Sequence, residues 1–162
     1  MSQKAFYPGL EGLRGVSVLA VLVFHAETTW LQGGFLGVST FFTLSGFLIT
    51  GLLVLEWEQT RAIRLPNFRA RRLRRLLPAS LLALLAIAVV GAQYGDPTQQ
   101  ARLAGDGLSA LFYFSNWWLI VTGADYDSLM GSPSAIQHFW SLSIEEQYYF
   151  VYPVFAYVFL RA

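Results

Sequence analysis

Cysteine is absent from the 162 residues. That removes disulfides, thiolate nucleophiles and cysteine metal sites from consideration, and it leaves the redox compartment open. Charge is scarce. Asp, Glu, Lys and Arg make up 13% of the chain, against roughly 25% in a soluble domain. Lysine is nearly missing, with Lys4 the sole example beside ten arginines. No Walker loop, metal-ligand cluster, paired catalytic carboxylates or serine elbow occurs, and there is no internal repeat, low-complexity tract or Gly/Ser linker. What remains is apolar: 55% hydrophobic residues with glycine not counted among them, and a mean hydropathy of +0.47. An ordinary soluble domain is excluded, and the chain reads as a membrane chain. The net charge of +1 says little, because acids and bases nearly cancel.

Apolar runs predict an all-α, polytopic transmembrane helix bundle. Residues 10–30, 35–55 and 76–95 are each long enough for a hydrocarbon core of about 30 Å at 1.5 Å per residue. Residues 107–123 are marginal for a full crossing, and 147–160 begin a further run. The first run carries Glu11, Arg14, His25 and Glu27, so one of its faces is not for lipid; Glu11 and Arg14 also break the uniform core that a cleaved signal peptide needs. Residues 56–75 are read as a loop dense in arginine, which by the positive-inside rule is cytoplasmic, together with the N-terminus. Trp30 and Trp57 flank the second run as interfacial anchors. Residues 96–106 are read as a loop opened by Asp96-Pro97. If 107–123 crosses fully, 125–143 is cytoplasmic; if it is re-entrant, that segment is external.

Ionisable groups inside a bilayer cost about 2.5–3.5 kcal/mol at a helix centre, so Arg14 and His25 need partners or a polar cavity. Eleven positions place them on one helix face, about 16 Å apart along the axis. That spacing suits two parts of one elongated ligand; the plainer alternative pairs Arg14 with Glu11 at i,i+3. Arg69, Arg71, Arg72, Arg74 and Arg75 suit bidentate contacts to phosphate, or anionic lipid and topology. Nucleic acid is not an expected partner, because the patch is membrane-tethered and lacks interleaved aromatics. Ser143 and Glu146 have capping-box spacing, which leaves Glu145 as a candidate to orient an imidazole or bind an acceptor hydroxyl. His138 is read as a solvated loop residue. Gly33 and Gly37 form a GxxxG pair suited to close helix approach.

Four stretches, in this order, carry a family resemblance. They are Gly9-Leu-Glu-Gly-Leu-Arg14-Gly with His25 at the R-x10-H spacing, Gly34-Phe-Leu-Gly-Val-Ser-Thr-Phe-Phe-Thr-Leu-Ser-Gly-Phe-Leu-Ile49, Phe68-Arg-Ala-Arg-Arg-Leu-Arg-Arg75-Leu-Leu-Pro78, and Trp140-Ser-Leu-Ser-Ile-Glu-Glu-Gln147. Together they resemble the N-terminal portion of the acyltransferase-3 family of membrane-bound O-acyltransferases. Ser39 stands where that family often has aspartate, and serine supplies no fixed negative charge.

The resemblance implies residues 1–162 as the N-terminal part of one such transmembrane domain, holding about four to five of its ten or so helices. It implies transfer of an acyl group, often acetyl, from cytoplasmic acyl-CoA to a hydroxyl of an extracytoplasmic carbohydrate or similar cell-envelope acceptor, at the plasma (inner) membrane and without a metal. By motif, His25 is the catalytic histidine, Arg14 its companion and Glu145 the motif glutamate. Arg71, Arg72 and Arg75 are expected to hold the CoA phosphates. The expected partners are the lipid bilayer, acyl-CoA, the acceptor, and further C-terminal helices or another membrane subunit. The alternative functions are a non-catalytic binding or regulatory subunit derived from an acyltransferase, and a proton-path or lipid-binding module.

Overall fold

The computed structural model describes residues 7–26, 31–123 and 134–161. Lys4, Glu27, Trp30 and residues 125–133 of the 125–143 segment lie outside the described residues. Every regular element among those described is helical, as the apolar runs predict. The chain forms two compact units, Met1–Arg61 and Ala62–Ala162.

In the first unit, α1 (Pro8–His25) begins on a proline in its first turn, where a missing N–H costs no ladder bond. A single 3-10 turn, Gln32–Phe35, leads into α2 (Leu36–Thr60). The two helices form an antiparallel hairpin. Ser17, Ala20, Val21 and Phe24 of α1 face Gly34 and Gly37, while Val16, Leu19 and Leu22 lie on an open apolar face. The predicted Gly33–Gly37 pair is corrected here: a Cβ on Gly33 meets nothing within 4 Å, and Gly34 is the partner of Gly37 in the contact. Arg61 ends α2 in the left-handed region, with φ 52°.

In the second unit, α3 (Leu65–Tyr94) is one helix of 30 residues. The arginines from 69 to 75 are therefore helical, and the expected 56–75 loop shrinks to residues 61–64 between α2 and α3. Arginine is a good helix former, so composition alone could not mark the helix start. Pro78 consequently falls inside α3, not near its start. The expected 96–106 loop is also corrected. Asp96 accepts from the backbone N–H groups of Thr98 and Gln99, both at 2.9 Å, and so caps α4 (Pro97–Leu111). Among the described residues three helical segments, Pro8–His25, Gln32–Thr60 and Leu65–Tyr94, are long and apolar enough to cross a membrane.

Residues 107–123 do not form one crossing helix. Helix α4 ends at Leu111, Tyr113 turns the chain with φ 56°, and α5 (Ser115–Thr122) returns. Trp118 Nε1 donates to Asp106 Oδ1 at 2.8 Å, and the Ser109 and Ser115 hydroxyls lie 3.3 Å apart. Helices α4 and α5 therefore run antiparallel, and α5 leads back toward the level where α4 began. A final helix, α6 (Phe139–Arg161), spans 23 residues. It runs antiparallel to α3, with Tyr149 over Arg72 and Phe150 over Arg69. Because α6 already starts at Phe139, Ser143 is not a helix cap. Its hydroxyl donates to Phe139 O at 2.9 Å.

Candidate functional site

Helix α1 carries both members of the R-x10-H pair. Arg14 Nη1 stands 3.6 Å from Glu11 Oε1, the i,i+3 pairing foreseen from sequence. Its Nε is buried without a hydrogen-bond partner among the described residues. His25 is the last residue of α1 and is exposed. Its Nδ1 lies 2.8 Å from Val21 O. A carbonyl oxygen can only accept, so Nδ1 carries the proton, and Nε2 is the basic nitrogen of the neutral ring. The ring also stands edge-on to Phe24, with centroids 5.3 Å apart. Helix α1 thus fixes both the tautomer and the orientation of its imidazole.

The arginines of α3 divide by face. Residues 71, 74 and 75 fall within one arc of the helix and are exposed, with no aromatic or carboxylate contact of their own among the described residues. Arg69 and Arg72 point the other way. The Arg69 guanidinium sits 3.8 Å over the Phe150 ring, and its Nη2 donates to Phe150 O at 3.1 Å. Pro153 lies inside α6 and cannot donate to the carbonyl of Tyr149, so arginine enters beside a weakened stretch of the helical ladder. Arg72 lies 4.7 Å over Tyr149 and 5.9 Å from the Phe68 ring. The RRxxR motif is thus split: Arg71 and Arg75 present open guanidinium groups one turn apart, and Arg72 faces α6.

Helix α6 carries the residues of the WSLSxEEQ stretch on different faces. Glu145 accepts from the Tyr149 hydroxyl one turn on. Glu146 is half-buried, and its Oε1 has no hydrogen-bond partner among the described residues. Ser143 and Gln147 face the α4–α5 turn. The backbone N–H of Ser115 donates to Ser143 Oγ at 3.2 Å. Gln147 Nε2 donates to Tyr113 O at 2.8 Å and to Asn116 Oδ1 at 2.9 Å. The Asn116 amide returns a bond to Gln147 Oε1 at 3.2 Å. Sequence reasoning missed this role of Gln147 and Asn116. Their i,i+31 separation carries no periodic signal; the only trace was a glutamine ending a motif in which each neighbour had a candidate role.

A family model described as an acyltransferase domain (Acyl_transf_3) matches residues 7–162. The chain belongs to the acyltransferase-3 family. It is 40% identical over 158 residues to the peptidoglycan O-acetyltransferase OatA of Listeria monocytogenes, a match that covers 98% of this chain and 25% of that protein. It is 41% identical over 154 residues to the O-acetyltransferase OatA of Staphylococcus aureus strain NCTC 8325, covering 95% of this chain and 25% of the relative. The chain thus spans about a quarter of the length of the curated relatives it matches. No solved structure matches it.

As a member of this family, the chain carries each of its recognisable motifs on a helix. The R-x10-H pair stands on α1 in the first unit; RRxxR on α3 and WSLSxEEQ on α6 both lie in the second, where Arg72 stands over Tyr149 two residues past the latter motif. The described residues hold no cluster of three His, Cys, Asp or Glu able to bind a metal.

Proposed function

We propose that this chain contributes the donor-binding and base-bearing helices of a membrane O-acyltransferase of the cell envelope. An acyl group, acetyl first among them, passes from acyl-CoA to a hydroxyl of a carbohydrate such as peptidoglycan, the polymer named for the Listeria relative. The donor is cytoplasmic and the acceptor lies on the opposite face of the plasma membrane. This assignment puts the arginine end of α3 in the cytoplasm, as its charge favours.

The observation that carries this reading is the His25 tautomer. With Nδ1 directed to Val21 O, Nε2 is the nitrogen assigned to remove the acceptor hydroxyl proton. The oxygen then attacks the thioester carbonyl, the C–S bond breaks, and the imidazolium returns the proton to the departing CoA thiolate. Arg14 binds the same elongated donor about 16 Å away along α1. Arg71 and Arg75, joined by Arg72, hold the CoA phosphates through charge-assisted hydrogen bonds. Glu145, the motif glutamate of α6, serves the transfer from the second unit. Residues 1–162 form the N-terminal part of the transmembrane domain, completed by further helices.

The test is acyl transfer by the protein in membranes, with labelled acetyl-CoA and glycan acceptors. His25→Ala should abolish transfer while acyl-CoA binding persists. Turnover unchanged in that variant refutes the reading.

A further inference from the structure

The α4–α5 turn approaches α3 through the part-buried Tyr113, while Phe112 and Phe114 beside it are exposed. The Tyr113 hydroxyl reaches 3.5 Å from Ser80 Oγ, and Ser80 stands only five residues beyond Arg75 on α3. At 1.5 Å per residue that is about 7 Å past the arginines and about 21 Å from the Tyr94 end of the same helix. Irregular backbone between membrane helices is tolerated only where protein or a polar cavity satisfies its hydrogen-bonding groups. Here the groups are satisfied from α6. Ser143 accepts the Ser115 N–H, and Gln147 donates to the Tyr113 carbonyl while exchanging bonds with Asn116. Position 113 is also a non-glycine residue in the left-handed region, a conformation held only where its surroundings over-determine it.

We infer that Gln147, through its amide pair with Asn116, is a positioning residue for the carboxylates of α6. It immediately follows Glu145 and Glu146 on that helix, so the bond that closes the hairpin turn also fixes the depth and rotation at which α6 presents both carboxylates beside α3. Its side-chain bonds go to Tyr113 and Asn116. It acts through the helix it anchors. This inference rests on the acyltransferase reading for its catalytic consequence, but its structural content is separately measurable.

The experiment uses the full protein in native membranes, with Gln147→Ala, Asn116→Ala, the double alanine variant, and the reciprocal exchange Asn116→Gln with Gln147→Asn. The exchange conserves the summed length of the two amides. Labelling of Glu145 and Glu146 by the membrane-permeant dicyclohexylcarbodiimide is read by mass spectrometry, beside the kinetics of acyl transfer. The expected result has three parts. Labelling rises in each alanine variant. The kcat falls about 10- to 100-fold, the scale of an ångström's misplacement, with KM for acyl-CoA changed less than about twofold. The double alanine variant is no worse than either single one, and the reciprocal exchange restores both readouts. Unchanged carboxylate labelling in Gln147→Ala overturns the inference, as does a fall in kcat that the exchange leaves uncorrected. A wild-type protein that labels as expected but transfers no acyl group overturns the proposed function instead.

Discussion

Replacing Gly37 with alanine tests whether the α1–α2 contact sets the geometry of the first unit. An added Cβ at position 37 meets Ser17 O at 2.5 Å and Val21 Cγ2 at 2.7 Å. The first obstacle is backbone, which cannot rotate aside as a side-chain tip can. A Cβ does not settle closer than 3.0 Å to such an atom, so the helices must separate by at least about half an ångström at the crossing. Overpacking of this kind costs about 1–3 kcal/mol, and in a bilayer no hydrophobic driving force between the helices offsets it. The strain falls on the stretch of α1 between Arg14 and His25, so their placement should shift with it. The assay is thermal unfolding in detergent for Gly37→Ala and Gly34→Ala, with Gly33→Ala as control because its Cβ enters open space. Gly37→Ala and Gly34→Ala should lower Tm, and Gly33→Ala should leave it unchanged. Equal Tm values for Gly33→Ala and Gly37→Ala would refute the reasoning, since the GxxxG spacing alone would then carry no information about the contact.

Four further outcomes follow from the second unit. Removing Asp96 by Asp96→Ala leaves two N–H groups of α4 without their carboxylate and should cost about 1 kcal/mol, read as faster hydrogen exchange at Thr98 and Gln99. Asp106→Ala releases both the Trp118 indole and the Ser134 hydroxyl, the latter held at 2.6 Å; tryptophan fluorescence should shift and protease sensitivity near Ser134 should rise. Among the arginines, Arg71→Ala combined with Arg75→Ala should raise KM for acyl-CoA with little change in Tm. Arg72→Ala, which strips a cation from the Tyr149 ring, should lower Tm as well, because such contacts contribute about 0.5–2 kcal/mol.

Much of this protein is legible in its residues because a bilayer leaves few choices. Charge scarcity and apolar runs of about twenty residues demand helices, since no other open structure satisfies its own backbone in lipid. The long cores of α1, α2 and α3 appear where the hydropathy puts them. Helix boundaries were less legible. The arginine segment is helical because arginine resists neither helix nor loop, and the Asp96 stretch became α4 because one carboxylate caps two amides. The Gly33–Gly37 pattern pointed to close approach but misassigned one glycine by a single residue, a rotation of about 120° in a 3-10 turn that only the packed helix pair fixes.

The sequence by itself determined the solvent, the helical class and the motif residues, because hydropathy and residue chemistry are properties of single positions or short windows. Tertiary structure decided which arginines face outward and which lie against aromatic rings. It also decided that residues 107–123 fold back as a hairpin, and that Gln147 closes the break at Tyr113. Those outcomes depend on hydrogen bonds and ring contacts between positions some 30 to 80 residues apart, and the pairing of such distant groups is set by how helices pack, not by any local pattern.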